Sequence, residues 1–175
     1  MAGGGRQTAA EIAGRLLRPL APERNAAGTV YGLTMIGAVL AAESYRRNSC
    51  ADVLASGALA LALYWVAHAY ATAAGHRMSD GERFDVHMLG RSLREDWPIV
   101  RGGTVPLLAV ALAWAAGAST ELAAGVAVWS TVGALIVLEL LVGVRAQAGP
   151  KGVLLEGCLG VGLGAAVLGL RVLLH

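Results

Sequence analysis

The sequence predicts an all-α fold, an integral membrane bundle of five transmembrane helices, and three observations predict it. Hydrophobic residues make up 56% of the 175 and charged residues only 15%, whereas a soluble domain carries about a quarter charged residues. The charges stand in clusters between long apolar runs. Each run approaches or exceeds the roughly 20 residues needed to cross ~30 Å of hydrocarbon.

Residues 1–25 read as an N-terminal cytoplasmic segment. Within it TAAEIAGRLLR has Thr8 and Glu11 at capping-box spacing, with Ile12, Leu16 and Leu17 on one face. This predicts a short interfacial helix ended by Pro19 and Pro22, with a frayed tail as the alternative. The first apolar run starts near Ala26 and is too long for the core of a cleaved signal peptide.

Residues 26–175 read as one transmembrane domain, with spans at about 26–45, 52–75, 98–118, 122–144 and 152–174. Arg101 and Pro106 interrupt the third, where the arginine can snorkel and a proline near a helix start costs little. Ser119, Thr120 and Glu121 alone join the third to the fourth, which forces an antiparallel hairpin. In the loop at 76–97, Ser79 and Glu82 repeat the capping-box spacing, and Phe84, Met88, Leu89 and Leu93 form a helical face. That pattern predicts an amphipathic helix lying against the membrane or extending the second span. In the last span Gly160 and Gly164, like Ala165 and Gly169, are one turn apart, which lets helices approach closely within the bundle or across a homodimer. Its GVGLG run lacks the preceding strand of a dinucleotide-binding loop.

Orientation follows from the basic residues. With the N-terminus in the cytoplasm, the inner side collects Arg6, Arg15, Arg18, Arg24, Arg77, Arg83, Arg91, Arg94, Arg101, Arg145 and Lys151, and the outer side Arg46, Arg47 and Arg171. The asymmetry favours an N-terminus inside and a C-terminus outside, and the Arg-, Ala- and Gly-rich composition suggests a GC-rich bacterial genome and hence a bacterial inner membrane. Because these arginines flank spans, the net charge of +2 does not point to nucleic acid. Cys50 in a loop and Cys158 within the last span fall at different depths, so no disulfide is expected between them.

Ionisable groups within a span are costly and need a reason. His68, Glu139 and Glu156 all fall in the inner half, with Tyr31, Thr34, Arg101 and Thr104 in the same layer. Tyr64, His68 and Thr72, at i, i+4 and i+8, share one face. If that face points inward, His68, Glu139 and Glu156 meet around a site for a proton or a divalent cation, with Arg101 as counter-charge. The bland alternative has His68 bonded to a neighbouring carbonyl or tyrosine and the two glutamates paired with Arg101, Arg145 or Lys151. At the other end Glu43 would pair with Arg46 and Arg47, and Arg171 with Glu43 or Glu121. The tryptophans and tyrosines read as anchors. Asp80, Glu82, Asp85, His87, Glu95 and Asp96 are of the types that bind metal, but interleaved with arginines they read rather as a solvated face.

The span layout, with the only long cytoplasmic loop between spans two and three, resembles the vacuolar iron transporter family. The likeness is closest over GTVYGLTMIGAVLAAESYRRNSCADVLASGALALALYWVAHAYATAAGHRMSDGER. It implies a five-span fold. The family's first span has Asp-Gly where this chain has Tyr31-Gly32, and its second has Ser-Met and Glu-Tyr where this chain has Tyr64-Trp65 and Ala69-Tyr70. Only Gly32 and Tyr70 carry across, and the metal-binding side chains do not, so iron transport is not implied.

Two functions follow. One is a small transporter of a cation or proton, needing no cofactor, with an inner-leaflet site of His68, Glu139, Glu156, Arg101, Tyr64 and Thr72. The other is a non-transporting module or partner subunit in which those residues are structural. Catalysis is not expected, since no nucleophile–base pair or metal motif is visible.

Overall fold

In a computed structural model of the protein the described residues are 26–43, 49–80, 85–145 and 150–173. The helix expected near residues 8–18, the pairing of Glu43 with Arg46 and Arg47, and the contributions of Glu82 and Phe84 lie outside them. Six helices make up the described chain. They are α1 (Ala26–Glu43), α2 (Cys50–Asp80), α3 (Val86–Glu95), α4 (Trp97–Ala115), α5 (Thr120–Arg145) and α6 (Pro150–Leu173).

Four of them, α2, α4, α5 and α6, are long and apolar enough to cross a membrane. Helix α1 is apolar but shorter, 18 residues, or about 27 Å at 1.5 Å per residue. The outward faces are as apolar as the interior, with Leu63 63% and Leu112 70% exposed. A helix that is apolar all round belongs in a core or in lipid.

Local chemistry sets the helix ends. The Ser49 hydroxyl accepts from the amides of Ala51 and Asp52, so α2 starts at Cys50 rather than near 52. Its other end runs on to Asp80, past the expected 75, since no proline stands between Gly75 and Asp80 and a single glycine costs a helix only about 1 kcal/mol. Gly117, at φ 84°, closes α4, and Ser119 caps α5 by accepting from Leu122 N–H. Cys50 is thus helical and buried, its thiol 3.6 Å from the Thr120 hydroxyl.

Helix α1 is the centre of the packing. It contacts α2, α4, α5 and α6, while α2 packs on α4, α4 on α5 and α5 on α6. The main core joins Ile36 and Leu40 of α1 to Val53 and Leu61 of α2, Ile99 and Val110 of α4, and Ala127 of α5. The α1–α4 crossing is close because both helices present glycine. A Cβ on Gly32 would fall on the Ile99 carbonyl, and one on Gly102 on the Thr29 carbonyl. In α6, Gly160 and Gly164 meet Ile136 and Val132 of α5, so this small-residue pair is used inside the bundle. No neighbour lies within 4 Å of the Cβ position of Gly169.

Candidate functional site

The site grows from the joint between α3 and α4. The Trp65 indole of α2 donates to the Leu93 carbonyl of α3 at 3.0 Å and meets Trp97 of α4 edge-on, ring centres 5.4 Å apart. These contacts hold α2 against both helices. Asp96 is the single residue between α3 and α4, closing the first helix and opening the second. An aspartate at a helix start ordinarily accepts from the amides two or three positions on. Here position 98 is proline and has no N–H, while the Ile99 amide bonds the Asp96 main-chain carbonyl at 3.0 Å. The carboxylate makes no capping bond and turns toward α2 instead.

There the Thr72 hydroxyl donates to Asp96 Oδ2 at 3.4 Å, and His68 Nε2 lies 3.8 Å from Asp96 Oδ1. That distance exceeds a good hydrogen bond and is an ion-pair distance when the imidazole is protonated. Asp96 is only 5% exposed, whereas the His68 side chain is 34% exposed, so the couple is closed on the aspartate side and open on the histidine side. Tyr64 lies beside His68 along α2, and Tyr31 of α1 approaches from across the gap, each ring centre 6.0 Å from the imidazole. Asp96 is therefore not part of a solvated face, as its charged neighbours suggest in the sequence. The tripeptide Asp96-Trp97-Pro98 carries the missed signal: a capping aspartate whose capping amide has been removed.

A second constellation sits between α5 and α6. Glu139 of α5 and Glu156 of α6 face each other across the seam between the two helices. Each glutamate packs over a glycine of the opposite helix: Glu139 Cγ lies 3.2 Å from the Cβ position of Gly160, and Glu156 Cγ the same distance from that of Gly143. Glycine on both helices makes room for the pair. Two carboxyl groups brought close to each other repel unless a proton or a cation lies between them. The expected consequence is that Glu139→Gln, which keeps a hydrogen-bonding group and removes the repulsion, changes thermal stability by no more than about 0.5 kcal/mol. Glu139→Leu strands Glu156 and costs about 1–3 kcal/mol. Unfolding of the purified variants in detergent distinguishes the two.

The six residues expected to share one site thus fall into separate groups. His68 and Thr72 reach Asp96, with Tyr64 beside His68, while Glu139 and Glu156 face each other between α5 and α6. Arg101 is exposed on α4, where its carbonyl accepts from the Thr104 hydroxyl at 2.7 Å, and among the described residues it forms no ion pair with either glutamate. Nor, among those residues, do any three His, Cys, Asp or Glu side chains cluster so as to hold a metal ion. Comparison of the chain with protein-family models, curated proteins and solved structures finds no match in any of the three.

Proposed function

We propose that the protein is a five-span integral membrane protein that moves a proton or a small cation, with the His68–Asp96 couple as its exchange site. Helix α1 is the fifth span in this reading, and the excess of arginine on one side supports an N-terminus in the cytoplasm. The couple then lies near the inner surface, and α3 lies along that surface, with Val86, His87, Arg91 and Arg94 exposed.

One observation carries the proposal. Asp96 is a buried carboxylate released from capping and aimed at a partly open imidazole that can take up and give up a proton. The Glu139–Glu156 pair supports it, being a second place in the spanning helices where two acidic side chains face each other, so that a proton or cation would relieve like charge. The five-span layout resembles the vacuolar iron transporter family, but the unmatched metal positions leave iron outside the proposal.

Proton and cation flux into proteoliposomes tests it. The parent is expected to conduct, and His68→Ala, Asp96→Asn and the double variant are each expected to lose at least about tenfold, the double no more than either single, because residues of one unit are non-additive. Conduction unchanged in folded Asp96→Asn sinks the proposal. A second reading, a non-transporting module, has its own observation: the Trp65 contacts make the α2–α3–α4 joint a structural clasp that His68 and Asp96 simply complete. Absence of flux in the parent across a panel of ions, with His68→Ala folding less well, favours that reading.

A further inference from the structure

At the opposite end of the bundle, a groove of about 660 Å³ runs between the start of α5 and the end of α6. Its rim is polar and carries both signs of charge, with Glu121 in the first turn of α5 and Arg171 in the last turn of α6. Each charge sits at the helix end whose dipole favours it. The Arg171 guanidinium lies over Gly125, Nη1 3.4 Å from where a Cβ would stand, so the absent side chain gives the arginine its place across α5. The two charges form no ion pair with each other among the described residues. Below the rim the walls turn apolar, through Leu168 to Trp129, which remains 64% exposed. From Glu121 to Trp129 the groove descends eight residues of α5, about 12 Å at 1.5 Å per residue.

We propose that this groove holds a phospholipid with a zwitterionic, primary-ammonium headgroup, the phosphoethanolamine type. Arginine matches phosphate with two parallel N–H donors. The Glu121 carboxylate accepts from an ammonium, which a quaternary choline cannot satisfy because it has no N–H. It also opposes a purely anionic headgroup. The apolar walls lie where an acyl chain descends from such a headgroup. The inference rests on the membrane placement of α5 and α6 and is independent of transport, since neither His68 nor Asp96 takes part.

The test is native mass spectrometry of the full chain, released from micelles doped with phospholipids of identical acyl chains and different headgroups. The parent is expected to retain the ethanolamine lipid about tenfold over the choline and glycerol lipids, one hydrogen-bonded charge contact being worth about that factor. Arg171→Gln lowers retention of every lipid. Glu121→Gln, at an exposed position that folding tolerates, erases the preference for ethanolamine over choline. Equal retention of all headgroups by the parent overturns the proposal, and so does an undiminished preference in Glu121→Gln. Soluble glycerophosphoethanolamine supplies the other source of the same chemistry. If it displaces the lipid at equal concentration, the groove serves a free headgroup and the phospholipid assignment fails. Failure of the flux assay leaves these outcomes unaffected.

Discussion

Replacing Gly32 or Gly102 by alanine is expected to unfold the bundle more than any other single methyl group added to it. Both positions lie where α1 and α4 cross, and in each case the new Cβ would fall on a main-chain carbonyl of the other helix. A side chain can rotate out of the way, but a helical carbonyl moves only with its helix. Gly32 has in addition the Gly103 amide nitrogen 2.9 Å from the Cβ position. Overpacking ordinarily costs about 1–3 kcal/mol, and the backbone nature of these clashes places both variants at or above the upper end. The double variant should cost less than the sum, because once the first methyl has parted the helices the second finds space. Gly133→Ala is the control: nothing lies within 4 Å of its Cβ position. There the gain in helix propensity, up to about 1 kcal/mol, stands alone and the variant is neutral or more stable. Denaturation midpoints in mixed micelles report all four.

Trp65→Ala carries the second large effect, because it acts on stability and on the site together. It removes the edge-on contact with Trp97 and the bond to the Leu93 carbonyl. Truncating a fully buried tryptophan costs about 3–5 kcal/mol, and for a half-buried one roughly 2–3 kcal/mol is expected. Trp65→Phe keeps a ring and loses the N–H donor, leaving a carbonyl short of a partner at about 1 kcal/mol. The graded pair separates packing from hydrogen bonding. Since Trp65 stands one turn from His68 and clamps the helices that carry Asp96, the alanine variant should also lose flux while the phenylalanine variant keeps most of it. Equal flux in both would mean that the clamp does not align the couple.

Much of this was legible in the sequence, and the reason is periodicity. Long apolar runs announced the helices, and the i, i+4, i+8 spacing of Tyr64, His68 and Thr72 put them on one face, where the structure has them turned toward Asp96 or in ring contact with His68. Periodicity says which residues share a face but not which helix that face meets. Glu139 and Glu156 sat at one depth with His68, yet they meet each other across α5 and α6, because the order of helices around α1 is a tertiary fact. The crossing of α1 with α4 was hidden for the same reason, since chain neighbours are the default partners and these two are separated by α2 and α3. Asp96 was hidden differently. Its neighbours Arg94 and Glu95 are exposed, and its own burial depends on Pro98 and on a helix some 25 residues earlier.

The central position of α1 also bears on assembly. It is the first of these helices to be synthesised, yet the surface made by Gly32 finds its partner only when α4 has been made, and Gly37 meets Thr131 only when α5 has followed. Until then α1 has α2 alone beside it among the long helices described here. Closure of the bundle is therefore a late event in biogenesis, and a chain arrested after α2 leaves its most tightly fitting seam without a mate, open to quality control.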